Sequence, residues 1–208
     1  MPYDYSSKIN KKGFVGEDFS DKKPDKEFRI FLLGDSVMEG SGNSSPNTTI
    51  PSILQKMINY NDGEYNVKVI NAGGGGGTSV YEKKLIKNTI VNYEPDLIII
   101  LGGWNDLSAD YSVTGVLEKY QQTCVLAYEN NFNLKIFLQP IAGFGNKILT
   151  DQEKINSLTG EDHNGFQLLQ AKSTYDWFGR EFPNFDQEAK IQLGNGICNF
   201  YDLRDIFD

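Results

Sequence analysis

Apolar residues fall along this chain in short dense blocks, four of the five interrupted by one polar residue, separated by longer stretches in which they recur every three or four positions. The blocks are Phe28–Leu33, Val67–Ile70, Leu97–Leu101, Leu134–Leu138 and Ile197–Tyr201. Rich in Ile, Leu, Val and Phe, they have the composition of strands buried on both faces, which a parallel sheet requires. The stretches between them read as amphipathic helices with start and stop signals. Thr48 or Thr49 caps the first, with Pro51 in its opening turn and Ile53, Leu54, Met57 and Ile58 on one face. Thr78 or Ser79 caps the second, which carries Tyr81, Leu85, Ile86, Thr89 and Tyr93 and ends at Pro95-Asp96. A third runs from about Ser112 through Val116, Tyr120, Cys124 and Ala127. Strand–helix alternation of this kind predicts an α/β domain over residues 27–208, with helices on both faces of a parallel sheet of about five strands. Residues 1–26 form a polar lead-in.

The alternation breaks at residues 139–165. Pro140, Gly143 and Gly145 indicate a loop, Thr150-Asp151-Gln152-Glu153 reads as a capping box opening a short helix, and Thr159-Gly160 ends it. An insertion after the fourth strand overhangs the C-terminal edge of the sheet, so a lid or specificity loop is expected, with a plain surface excursion as the other reading. A helix from Phe166 to about Phe178 then leads through Phe182-Pro183 to the last strand.

The formal net charge of −8 speaks against a nucleic-acid partner or an anionic membrane surface. It suits a protein acting on neutral small molecules or sugars. Cys124 and Cys198 are the only cysteines and both sit in apolar settings, so buried free thiols are expected in preference to a disulfide. With one histidine and no Cys-x-x-Cys, no metal site is expected. No run of residues approaches the length of a membrane span, and the N-terminus lacks a signal-peptide core.

Three of the strand blocks end on small or polar residues. They are Gly34-Asp35-Ser36, the run Asn71-Ala72-Gly73-Gly74-Gly75-Gly76-Gly77-Thr78, and Gly102-Gly103-Trp104-Asn105-Asp106. A strand that stops at a glycine and presents a serine aims a nucleophile at the sheet edge where open α/β sheets bind ligands. Nucleotide readings of the glycine run fail. No Gly-Lys-Ser/Thr follows it, and Thr78 stands where Gly-x-Gly-x-x-Gly needs its last glycine. No cofactor is expected.

In this order the three segments resemble the blocks of the GDSL, or SGNH, hydrolases. Gly34 to Gly40 match Gly-Asp-Ser-x-x-x-Gly; Asn71, Gly73, Gly76 and Thr78 match the second block; Gly103, Asn105 and Asp106 match Gly-x-Asn-Asp. The resemblance implies a flavodoxin-like, three-layer α/β/α sandwich and a serine esterase. Ser36 would be the nucleophile, and its own N–H, the Gly76 N–H and the Asn105 amide the oxyanion donors. Asp35 and Asp106 are expected as supports, with Asp106 organising its turn. A small-molecule or glycan ester, acetylated sugars among them, is the implied substrate. The segment Lys12–Ser20 with Lys23-Pro24 resembles the lead-in of membrane-tethered relatives, which leaves an upstream tether and an extracytoplasmic location open beside a plain soluble protein.

The family's fourth block, Asp-x-x-His, does not occur in the sequence. Truncation just before it is the expected explanation. His163, in Glu161-Asp162-His163, lacks the family spacing and reads as a solvated loop histidine, with a substitute base as the other reading. The alternative is a catalytically impaired binding protein that keeps the fold without a base.

Overall fold

In the computed structural model of the chain, residues 9–43, 45–59, 66–108, 113–138, 151 and 198–203 are described. The insertion proper, the helix expected from Phe166 and the base candidate His163 lie outside them. Twelve elements follow in order, five of them strands: β1 (Glu27–Gly34), α1 (Ser36–Glu39), a 3₁₀ turn (Pro46–Thr48), α2 (Ile50–Asn59), β2 (Asn66–Gly73), α3 (Ser79–Asn88), a second 3₁₀ turn (Ile90–Tyr93), β3 (Leu97–Gly102), α4 (Trp104–Ser108), α5 (Val113–Glu129), β4 (Asn133–Leu138) and β5 (Cys198–Asp202). The strands form one parallel sheet in the order β2-β1-β3-β4-β5. This is the doubly wound arrangement, with β1 at the point where the strand order reverses.

Alternate residues of each strand feed two cores. Phe31, Leu33, Ile98, Ile100, Leu134, Ile136 and Phe200 face Ile86 and Ile90 and, from α5, Val116, Tyr120 and Cys124. Ile30, Leu32, Leu101 and Phe137 face the other way, toward Leu54 and Ile58 of α2 and Met38 of α1. The result is the expected α/β/α sandwich. α2 lies mainly over β2, so Ile53 and Met57 are exposed beside an apolar groove while Leu54 and Ile58 pack inward. Thr78 caps α3, its hydroxyl accepting from the Tyr81 N–H.

Cys124 and Cys198 are disulfide-bonded, which corrects the expectation of free thiols. Cys124 lies on the sheet-facing side of α5 and Cys198 on the same face of β5, both nearly inaccessible. Their Cα atoms are 5.6 Å apart, within the range a disulfide spans. Their separation of 74 residues carried no hint of the pairing.

The polar lead-in is tied into the domain. Val15 makes an antiparallel bridge to Asn71 on β2, with the Val15 N–H donating to the Asn71 carbonyl at 3.1 Å. Phe14 is buried against Phe31, Phe19 and Tyr93. Around them Arg29, wholly buried in β1, pairs with Glu27 and donates to the carbonyls of Ser20 and Tyr93 at 2.9 Å each. A buried guanidinium is tolerated only when its donors are satisfied in this way.

Candidate active site

Parallel pairing sets three strand ends level. Gly34 is in register with Gly73 on one side and Leu101 on the other, so the turns after β1, β2 and β3 emerge side by side. Close approach depends on glycine at two of these ends. A Cβ on Gly34 would sit 2.4 Å from the Leu101 carbonyl oxygen, at a φ of +155° that disfavours side chains. A Cβ on Gly73 would sit 2.2 Å from the Glu39 nitrogen.

Asp35 caps the short helix that Ser36 begins, its Oδ1 accepting from the Val37 N–H at 2.8 Å. Ser36 itself is half-buried, at the first helical position. The first two segments meet where the Gly74 N–H donates to the Gly34 carbonyl at 3.1 Å. The third joins through Asn105, whose Nδ2 donates to the Gly77 carbonyl at 3.1 Å and to Asp35 Oδ2 at 3.3 Å. Gly76 adopts a left-handed φ of +72°, with open space where a side chain would project. The three segments singled out in the sequence therefore converge on one point at the C-terminal edge of the sheet.

Supporting contacts fix these turns from behind. Asn71 donates to the Glu39 carbonyl at 3.1 Å and accepts from the Gly73 N–H at 3.0 Å, tying the Ser36 turn to the glycine run. Asp106 reaches beyond its own turn to the start of α3, accepting from the Ser79 hydroxyl at 2.6 Å and from its N–H at 3.0 Å. Burial pushes the carboxyls of both Asp35 and Asp106 up, opposed by their hydrogen bonds from Val37 and Ser79 respectively. Tyr81, expected on the inward face of α3, is half exposed, and its hydroxyl lies near Gly74. Glu82 occupies the buried position instead. The signal available in the sequence was its place four residues before the buried Ile86, on the same helical face.

This arrangement brings a serine at the head of a helix, a left-handed glycine and a neutral amide onto neighbouring turns, the parts a serine acyl transfer needs apart from a base. The described residues contain no histidine, and among them no group of His, Cys, Asp and Glu is placed to hold a metal ion.

Known proteins point the same way. The fold resembles the acetyl xylan esterase AlAXEase (17% identity, TM-score 0.60, 86% of this chain and 79% of that one). It also resembles a catalytic mutant of Axe2, an acetylxylan esterase from Geobacillus stearothermophilus (15%, TM-score 0.58, 85% and 76%), and TesA (16%, TM-score 0.52, 80% and 74%). No curated protein matches the chain. The model of the GDSL-like lipase/acylhydrolase family matches residues 32–172, a span that holds all three converging segments and two thirds of the sequence. With that match laid over the geometry of Ser36, Gly76 and Asn105, the chain belongs to the GDSL-like lipase/acylhydrolase family.

Proposed function

We propose that this protein is a serine esterase that removes short acyl groups, acetyl above all, from hydroxyls of a sugar or other small molecule. The observation that carries the reading is the meeting of Asn105 with Asp35 and Gly77, which sets a neutral amide beside the Ser36 turn and the glycine run. Ser36 Oγ attacks the ester carbonyl and its proton passes to a base. The carbonyl oxygen takes up negative charge and is met by the N–H groups of Ser36 and Gly76 and by an Asn105 amide N–H that turns to it from its resting contact with Asp35 or Gly77. Collapse expels the alcohol, which takes a proton, and leaves an acyl group on Ser36. Water then hydrolyses the acyl-enzyme and restores the serine.

Asp35 orients the Asn105 amide, and Asp106 anchors the turn that carries it. The buried disulfide favours an oxidising compartment outside the cytoplasm, where acylated glycans are met. The acidic surface suits neutral substrates. The fold relatives named as acetyl xylan esterases support acetyl as the acyl group.

A second reading, a binding protein with an impaired site, is favoured by the absence of an Asp-x-x-His spacing from the sequence. Turnover of p-nitrophenyl acetate, run beside Ser36→Ala and His163→Ala, separates the two, together with mass-spectrometric mapping of a fluorophosphonate probe. The esterase reading expects the probe on Ser36 and turnover lost in Ser36→Ala. Loss in His163→Ala as well makes His163 the base. Hydrolysis that survives Ser36→Ala, or a probe on another residue, overturns it. A folded chain with neither turnover nor labelling is the binding protein.

A further inference from the structure

Among the described residues one buried carboxyl makes no hydrogen bond. Glu82, in the first turn of α3, is 1% exposed, and neither of its carboxyl oxygens has a hydrogen-bond partner. The other buried charges are all accounted for: Arg29 by Glu27 and carbonyls, Asp35 by Val37, Asp106 by Ser79.

Its surroundings place it directly behind the third segment. A Cβ on Gly102, the last residue of β3, would meet Glu82 Oε1 at 3.1 Å and the Tyr120 hydroxyl at 2.8 Å. Glu82 from α3 and Tyr120 from α5 thus close on the backbone three residues before Asn105. Among the described residues the groups that face Glu82 are Asp106 from α4, Asp35 from the turn after β1, and Tyr120 from α5. None is cationic. Burial, with repulsion from Asp106 and Asp35 added, pushes the Glu82 carboxyl well above the usual carboxylate range.

We propose that Glu82 is a positioning residue that works as a neutral carboxylic acid, supporting the Gly102–Asp106 turn from behind and so holding Asn105 in place for the oxyanion. The proposal rests on the esterase reading. A negative charge at Glu82 would stand unpaired in the core beside two other carboxylates. The simplest relief is to move α3 away from the α4 turn, which breaks the Ser79–Asp106 hydrogen bonds and frees the turn that carries Asn105. A neutral acid at the same place packs without that repulsion.

The test is the pH profile of fluorophosphonate labelling at Ser36 and of p-nitrophenyl acetate turnover, for the wild type, Glu82→Gln and Glu82→Leu, with thermal unfolding of each followed over the same pH range. Glutamine keeps the shape and neutrality of the acid. In the wild type a reversible alkaline loss is expected, roughly tenfold for each pH unit beyond the titration of a single group. Glu82→Gln should keep the neutral-pH rate within about threefold and lack this alkaline limb. Glu82→Leu, neutral at every pH but of another shape, should also lack this limb. A Glu82→Gln profile that superimposes on the wild type overturns the proposal, as does a folded Glu82→Gln that is inactive throughout. Absence of labelling in the wild type at all pH values overturns the esterase reading and with it the role of Glu82 at the oxyanion. The unfolding curves then still report whether Glu82 is held neutral, because only the wild type would lose stability on the alkaline side relative to Glu82→Gln.

Discussion

Breaking the Cys124–Cys198 bond is the most quantitative perturbation this fold offers. The bond ties α5 to β5 across 74 residues of sequence, and both cysteines are buried in the larger core. Cutting it leaves the native packing nearly unchanged but frees the unfolded chain. The loop-closure relation applied to a loop of this length gives about 4.5 kcal/mol of lost stability at 25 °C. With a urea dependence of about 2 kcal/mol per molar, the unfolding midpoint should drop by roughly 2 M. The assay is equilibrium urea unfolding, read by tryptophan fluorescence, with and without dithiothreitol in every sample, so that the thiols equilibrate through the unfolded state. Alkylation of the unfolded, unreduced protein should modify neither cysteine. Midpoints that agree within about 0.3 M would refute the chain-entropy reasoning, and alkylation of both cysteines without reductant would remove the bond on which it stands.

The remaining predictions concern the site, the buried arginine and pH. Asn105→Ala removes one oxyanion donor and should lower kcat for p-nitrophenyl acetate by about 10²–10³, and by leaving Asp35 and the Gly77 carbonyl without its amide should lower the urea midpoint by roughly 0.5 M. Arg29→Met strands Glu27 and the Ser20 and Tyr93 carbonyls, and should cost about 3–5 kcal/mol in urea unfolding. Replacing Glu27 by Gln in the same chain should recover part of that loss. Glu82, Asp106 and Asp35 all have folded carboxyls raised above their unfolded values. The native state then holds protons that the unfolded state has released, so these groups make stability fall as pH rises from the ordinary carboxylate range through their folded values. The urea midpoint of the wild type should therefore be higher at pH 5.5 than at pH 8, and the difference should shrink in Glu82→Gln.

What could be read from the sequence was whatever a single segment decides alone. The five strands were legible because both faces are buried and every position of Phe28–Leu33 or Leu97–Leu101 is apolar or nearly so. Thr78 was legible as a cap because the hydroxyl bonds a backbone N–H of its own segment. The meeting of Gly34, the glycine run and Asn105 followed from strand ends that a parallel sheet sets level. What was not legible depends on partners far along the chain. One residue of helical phase, about 100° of rotation, separates Tyr81 from Glu82, and the pattern alone put the aromatic inside. Nothing in the strand itself shows what satisfies Arg29, because Ser20 and Phe19 of the lead-in close around its guanidinium only in the fold. The disulfide required knowing that α5 lies over β5.

The bridge between Val15 and Asn71 has a consequence for how the molecule meets its own copies. In the order β2-β1-β3-β4-β5, β2 is an outer strand, and an outer strand offers unpaired backbone groups as a template for another chain. The lead-in covers that template at Asn71 with a short, highly charged segment running antiparallel, and the Gln55 side chain covers it at Val67 and Val69, which leaves a second molecule little to extend. A part of the sequence that looks dispensable by composition thus acts as a guard against edge-to-edge assembly. Shortening the protein to its first strand would open a core at Phe14 and bare the β2 edge at Asn71 in the same cut, offering another copy a place to pair.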